Sequence, residues 1–477
     1  MRKAFFPIDL IEHNSKVILY GAGNNARKLF DINEQISWCN IIAAVDVNAV
    51  KIEGFPVAVF QPDMMDLYNK CDFVLITILN KEYRREAENY LIKIGIPKSK
   101  IVSDIDITFG RDYTAPVVFQ RLVDKEEELS IGIWPKGTIG DHVIFLKFYQ
   151  EIVRLASDAK ITILDEFTGF PESILYGQDN LSEIRKIDMD WNDGKDFDLV
   201  LYIRFEPVIL FVDFERLKTK AAKLYDSMTV LYEYQMKYHV DLPVYQYENR
   251  ILLDRAKFLN LNHYTLFNIS GAFEGIKDQR VDLHIDERYK NEYEELKLNK
   301  KYVTYNYGAG KALGKDIPQV KQWPYEYHEE FNQLFKKKYP DIELIQLGGE
   351  DVVKIPGADR YILGKPLDVV KYILKDSLFH FDCEGGLVHI ASQLDTKCFV
   401  VFGPTPAWFL GYENNENIEP KTCGGCKGLI EDWYTRCLKY NRPECMYSIK
   451  PADVMGKIES YLNEIFSDET RKQMGGR

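Results

Sequence analysis

The sequence has no apolar run approaching the ~18 residues of a membrane-crossing helix, so no spanning segment is expected. It has no surplus of positive charge either: 61 Lys and Arg stand against 73 Asp and Glu, a formal net charge of −12. Binding along a phosphate backbone rests on clustered basic side chains, so no nucleic-acid partner is expected. Low-complexity tracts are missing as well. With 46% hydrophobic and 28% charged residues, the composition is that of a globular chain with real cores. The amino terminus offers no secretory leader, because the basic Met1-Arg2-Lys3 start meets Asp9 and Glu12 before an apolar core can form. These absences point to a cytoplasmic chain whose membrane contact, if any, is peripheral. Cysteine is scarce: of eight, Cys39, Cys71, Cys383 and Cys398 stand singly among apolar residues and read as core.

What is present suggests α/β architecture. At ~150 residues per domain, 477 residues allow about three domains. The run Lys16-Val17-Ile18-Leu19-Tyr20 reads as a buried strand, followed by Gly21-Ala22-Gly23-Asn24-Asn25-Ala26 and a helical pattern. Further strands are expected at Ile41–Val45 and Cys71–Ile78, and a charged helix from about Glu82 to Ile94. This is the Rossmann fingerprint in its G-x-G-x-x-A form, with Asp46 twenty positions after Ala26. Gly21 would permit the turn, Gly23 would admit a phosphate, and Asp46 could accept from a ribose hydroxyl. The simpler alternative is a Rossmann-like module that uses the glycines only as a turn.

Residues 109–130, with Asp124-Lys125-Glu126-Glu127-Glu128, read as a linker. Strand candidates resume at Ile131–Trp134, Lys160–Leu164 and Asp198–Ile203, before a charged helical stretch from about Asp213 to Lys301. A third set follows at Tyr302–Asn306, Ile342–Gly348, Leu378–Phe381 and Cys398–Gly403. The expected organisation is a Rossmann-like domain over 1–108, then two Rossmann-like lobes over 131–300 and 301–477.

Four constellations could carry chemistry. Gly137-Thr138-Ile139-Gly140-Asp141 lies between a strand and a helix, where backbone N–H groups favour a nearby anion. Asp141 there is either a helix cap or a general base facing an interlobe cleft. Tyr307-Gly308-Ala309-Gly310-Lys311, followed by Lys321-Gln322-Trp323-Pro324, pairs a glycine turn with a lysine. It is not a Walker motif, since Asp316 stands where Ser or Thr would follow Lys315. Lys321 could neutralise a departing diphosphate, or it is a solvated lysine ahead of a helix beginning at Trp323-Pro324.

Asp382-Cys383-Glu384-Gly385-Gly386 then leads into an apolar helix carrying His389, an arrangement suited to cradling a diphosphate. Gly348 and the Phe402-Gly403-Pro404-Thr405 loop each end a strand, where open α/β sheets place ligands. Finally, Cys423-x2-Cys426-x10-Cys437-x7-Cys445 gathers four thiols within 23 positions. That spacing suits a tetrahedral zinc or iron site, and with all ligands supplied by cysteine its role would be structural. A pair of disulfides is disfavoured by the expected compartment.

The stretch from about Ile131 onward resembles glycosyltransferase family 9, the heptosyltransferase-like GT-B enzymes. The motifs that carry the resemblance are Gly140-Asp141, Gly308-Ala309-Gly310 with Lys321-Gln322-Trp323-Pro324, Glu384-Gly385-Gly386-Leu387-Val388-His389, and Phe402-Gly403-Pro404-Thr405. The cysteine cluster is similar to that of bacterial autotransporter heptosyltransferases, which hold iron there. The resemblance implies inverting, metal-independent transfer of a heptose-like sugar from a nucleotide donor, commonly ADP-heptose, to a hydroxyl of a glycan or protein. It places Asp141 as general base and Lys321 at the diphosphate. Gly308, Gly310, Lys311, Gly348, Glu384, Gly385, Gly386, His389 and Thr405 would then bind the donor. Glu384 stands where the family usually has Asp, and Gly385 where it has Ser or Thr, while Asp382 offers a competing alignment. The region before 109 is outside the family pattern, and a nucleotide is the ligand its glycines suggest. Oligomer formation is compatible with this reading. Two rival readings are an NAD-dependent oxidoreductase acting through Gly21, Gly23 and Asp46, and a non-catalytic sugar-nucleotide sensor or scaffold.

Overall fold

The computed structural model describes the chain except residues 1, 4–5, 8–9, 79, 104, 107–115, 125, 167–168, 188–193, 239–245, 308–319, 431–432 and 476–477. The fold is α/β, built on three large, mostly parallel sheets with helices between the strands. The chain forms two compact units. One comprises Met1–Arg111 with Pro243–Leu252 and Cys426–Asn441; the other holds Asp112–Leu242, Leu253–Gly425 and Arg442–Arg477.

The first unit carries a five-stranded parallel sheet in the order Val59–Phe60, Asn40–Val45, Lys16–Tyr20, Phe73–Ile76, Ile101–Val102. These strands are short apolar runs because helices cover both faces. A contiguous domain over 1–108 is an incomplete description. Ile430 and Trp433, far along the chain, are buried in the same core as Val17, Leu19, Leu29 and Leu75.

The second unit contains the other two sheets. One has the order Leu181–Lys186, Lys160–Asp165, Ser130–Pro135, Leu199–Ile203, Pro207–Val212, Val117–Val118. Only Pro207–Val212 runs antiparallel to its inner neighbour. Part of the expected linker is therefore sheet: Val117–Val118 pairs with Phe211 and Val212. The Arg121 N–H also donates to Asp213 Oδ2 at 2.6 Å. The expected helical stretch after Asp213 ends sooner than the charge pattern suggests. Helices span Phe214–Lys220, Ala222–Tyr238 and Gln246–Phe258, and the chain to about residue 286 is then mostly irregular.

The last sheet is fully parallel, in the order Arg360–Leu363, Glu343–Gly348, Tyr302–Asn306, His380–Cys383, Cys398–Val401, Glu416–Ile418. Numbered by chain order this is 3-2-1-4-5-6, and the order reverses between Tyr302–Asn306 and His380–Cys383. A crevice at the carboxyl ends of those two strands is where such sheets bind ligands.

The two lobes of this unit are tied by a buried network. Lys371 Nζ, fully buried on the Leu367–Lys375 helix, donates to Ser173 O at 2.6 Å, His284 O at 2.9 Å and Asp368 Oδ1 at 2.9 Å. Burial pulls its ammonium pKa below the ordinary lysine value, against the charge and hydrogen bond of Asp368.

Candidate active site

Two helix N-termini, one from each lobe of the second unit, meet at a pair of glycines. The first belongs to the Ile139–Leu155 helix and the second to Gly386–Gln393. A methyl group at Gly386 would lie 3.0 Å from Ile139 Cβ and 3.4 Å from the Gly140 nitrogen. One at Gly140 would lie 2.6 Å from His389 Cδ2. Neither position has room for a side chain. Both helix starts present unsatisfied N–H groups and the positive ends of their dipoles, so together they favour a bound anion.

Asp141 sits in the first turn of the first helix. Its Oδ2 accepts from the Thr138 N–H at 2.7 Å and from Thr138 Oγ1 at 3.2 Å, forming a capping box. The cap is thus real, yet it uses one oxygen; Oδ1 has no hydrogen bond among the described residues. Gly137 makes the fold-back possible: its φ is +124° and a Cβ there would lie 2.3 Å from Asp141 Cγ. The half-buried carboxylate therefore keeps one oxygen for chemistry.

Lys321 and Glu384 come from the other lobe. Lys321 Nζ is 3.7 Å from Glu384 Oε2 and donates to the Glu384 carbonyl at 3.4 Å. Burial works against the Lys321 charge. Glu384, Asp141, Cys383 and Asp382 outweigh it and raise its pKa above the ordinary lysine value. Asp141 is thus near enough to act on Lys321 across the lobes. His389 Nε2 lies 3.7 Å from the other carboxylate oxygen, Glu384 Oε1.

Asp382 lies beneath this group at the switch point, where Asn306 Nδ2 donates to Oδ1 at 3.3 Å and Oδ2 at 3.2 Å. Burial raises its pKa, against the hydrogen bond and charge of His380. Asp382 is therefore packed into the sheet end, whereas Glu384 stands beside Lys321 and His389. Cys383 accepts from the Trp323 N–H at 3.2 Å, which anchors the segment following Lys321. The helix expected from Trp323-Pro324 begins at Tyr325, with Pro324 as its cap.

Gly308, Gly310 and Lys311 lie outside the described residues. Gly348 ends its strand two places from the switch point, with Val352 filling the space a side chain would take. Gly385 is extended and meets no close neighbour, so its lack of a side chain is not forced. Thr405 is buried and its Oγ1 has no hydrogen-bond partner among the described residues. The sequence reading missed Tyr412, whose hydroxyl lies 2.8 Å from His389 Nδ1, together with Tyr264 and Gln393 behind it.

No family model and no curated relative matches this sequence. Solved structures do match. E. coli ADP-heptose LPS heptosyltransferase II aligns over 70% of this chain and 99% of its own, at 12% identity and TM-score 0.44. A glycosyl transferase family 9 protein from Veillonella parvula aligns over 71% and 99%, at 12% identity and TM-score 0.48. TibC of enterotoxigenic E. coli, described as an iron-containing dodecameric glycosyltransferase, aligns over 73% and 78%, at 14% identity and TM-score 0.46. The likeness is one of fold.

The four clustered cysteines form no disulfide. Cys445 is buried beside Gly403, where a methyl group would lie 3.3 Å from its Sγ, and the Gly425 N–H donates to the Gly403 carbonyl at 3.0 Å. Cys423 packs at the edge of the same core, while Cys426 and Cys437 belong to the first unit. Among the described residues no three His, Cys, Asp or Glu side chains are gathered as a metal-ligand set. No step below runs through a metal.

In the first unit, Gly21 has φ +99° and opens the expected turn. Asp46 closes it: Oδ2 accepts from the Ala22 N–H at 2.9 Å and Oδ1 from the Asn48 N–H at 2.8 Å. Gly23 faces open space. Each oxygen of Asp46 thus accepts one backbone N–H of the turn and keeps a second lone pair. No helix among the described residues is long and apolar enough to cross a membrane.

Proposed function

We propose that this chain is a glycosyltransferase of GT-B architecture that moves a sugar from a nucleoside diphosphate sugar to a hydroxyl acceptor with inversion. One observation carries the reading. Two helix N-termini from facing lobes converge beside Lys321, with Asp141 on one side and Glu384 and His389 on the other. A diphosphate suits the convergent N–H groups and the ammonium.

In the single displacement, Asp141 Oδ1 takes the proton of the acceptor hydroxyl. That oxygen forms its bond to the anomeric carbon as the bond to the β-phosphate oxygen breaks. The electron pair leaves with the nucleoside diphosphate, whose growing charge faces Lys321 and the N–H groups at Gly386. Glu384 and His389 are the donor-side polar groups nearest that lysine. The motifs that resemble family 9 support a heptose-like sugar as the donor and a surface glycan or protein as the acceptor.

A screen of nucleoside diphosphates and nucleotide sugars by thermal unfolding tests the donor site directly. A ligand at a hundredfold its Kd stabilises the native state by about 2.7 kcal/mol. A rise in Tm with at least one nucleotide sugar, abolished in Gly386→Leu, is expected. A screen in which no nucleotide moves Tm removes the reading.

The cysteine spacing carries a separate proposal, a structural iron or zinc ion held by Cys423, Cys426, Cys437 and Cys445. Purified full-length protein is expected to contain about one equivalent of metal, and Cys437→Ser to lose it together with thermal stability. Metal-free protein with four titratable thiols in this segment would overturn that proposal.

A further inference from the structure

Behind the donor-side group runs a chain of buried hydrogen bonds whose direction is fixed at one end. Gln393 Nε2 is 2.7 Å from the carbonyl oxygen of Gln279, which can only accept, and Gln393 Oε1 is 3.0 Å from the Val281 N–H, which can only donate. The amide orientation therefore has one solution. Its nitrogen then donates to Tyr264 Oη at 3.0 Å. Tyr264 Oη lies 2.9 Å from Tyr412 Oη, and Tyr412 Oη lies 2.8 Å from His389 Nδ1.

Tyr264 is completely buried, and its hydroxyl has no other hydrogen-bond partner among the described residues. Having accepted from Gln393, it must give its own hydrogen to Tyr412. The reverse direction would leave that hydrogen without an acceptor, a larger cost than a neutral hydrogen bond contributes. Tyr412 in turn gives its hydrogen to His389 Nδ1. Burial raises the pKa of both phenols, so each keeps the hydrogen this chain requires.

We infer that Gln393, Tyr264 and Tyr412 are positioning residues that fix the neutral His389 ring as the tautomer with its hydrogen on Nε2. That hydrogen faces Glu384 Oε1, 3.7 Å from Nε2. Glu384 is therefore approached by a donor on each side, the imidazole N–H and the Lys321 ammonium, and its carboxylate is held for the donor sugar. This last step rests on the glycosyltransferase reading; the tautomer does not.

The test uses full-length protein with ¹⁵N-labelled histidine, the His389 ring signals being assigned by their loss in His389→Asn. In the wild type the hydrogen is expected on Nε2, with Nδ1 a bare acceptor. Gln393→Glu replaces the donor amide with an acceptor, so the two hydroxyls should reverse and the His389 hydrogen should move to Nδ1. Donor KM should then rise about 3- to 10-fold, the scale of one neutral hydrogen bond, with kcat nearly unchanged. Tyr412→Phe should break the chain at its last link and release the tautomer with a similar KM change. A wild-type ring protonated on Nδ1 overturns the inference without any variant being needed. So does a folded Gln393→Glu protein that keeps its hydrogen on Nε2. If the tautomer behaves as described but no nucleotide sugar binds, the relay stands and the glycosyltransferase reading alone falls.

Discussion

Asp141→Asn is expected to lower turnover by roughly 10²–10⁴-fold, the usual contribution of a general base, with little change in donor affinity or Tm. The choice of Asn matters because the proposed mechanism gives Asp141 a second task besides its capping bond. Its Oδ2 holds the Thr138 N–H at the start of the Ile139–Leu155 helix, and an amide oxygen can hold the same bond. Asn cannot take a proton from the acceptor. Asp141→Ala removes both functions and should add a loss of about 0.5–1.5 kcal/mol in stability, the scale of the one hydrogen bond it makes to the Thr138 N–H. Steady-state rates and thermal unfolding on the two variants separate the tasks. Were Asn to turn over within a few fold of wild type, Asp141 would be only a cap, and the proton would have to leave by another route.

The parallel strands were legible because helices cover both faces of their sheets, which leaves uninterrupted apolar runs. Lys16–Tyr20 and Tyr302–Asn306 match their expected limits. Edge strands carry no such signature. Leu181–Lys186 reads Leu-Ser-Glu-Ile-Arg-Lys with no residue fully buried, and the two residues Val117–Val118 sit exposed inside a charged segment. The site divides in the same way. Glycines in the sequence stand within four positions of Asp141, Glu384 and His389, whereas Lys321 follows Gly310 by eleven positions. Tyr264 and Tyr412 are separated by 148 positions, and Tyr264 and Gln393 by 129. Contacts at such separations exist only once the fold has formed. The packing of Ile430 and Trp433 into the first unit is of the same kind.

Lys321→Met is expected to cut kcat by about 10²–10³-fold, the scale seen when one donor to a developing oxyanion is removed. Donor KM should change less, because the interaction strengthens as charge moves onto the leaving diphosphate. The ammonium is suited to this task by its surroundings. Although 23% of its side-chain surface remains exposed, Glu384 and Asp141 raise its pKa in spite of burial. A raised pKa stabilises the folded, charged form below the ordinary lysine value, and that contribution is lost only as pH climbs through the raised folded value. Lys321 therefore stays charged throughout the neutral range, and any bend in the rate profile between about pH 6 and 9 must come from another group. Removing it leaves Glu384 and Asp141 facing each other without a cation between the lobes. A second effect follows, weaker inhibition by the nucleoside diphosphate product, measurable apart from turnover. A Met variant that retains wild-type kcat and product affinity would show that the diphosphate departs elsewhere, and the convergence at Gly140 and Gly386 would then be packing alone.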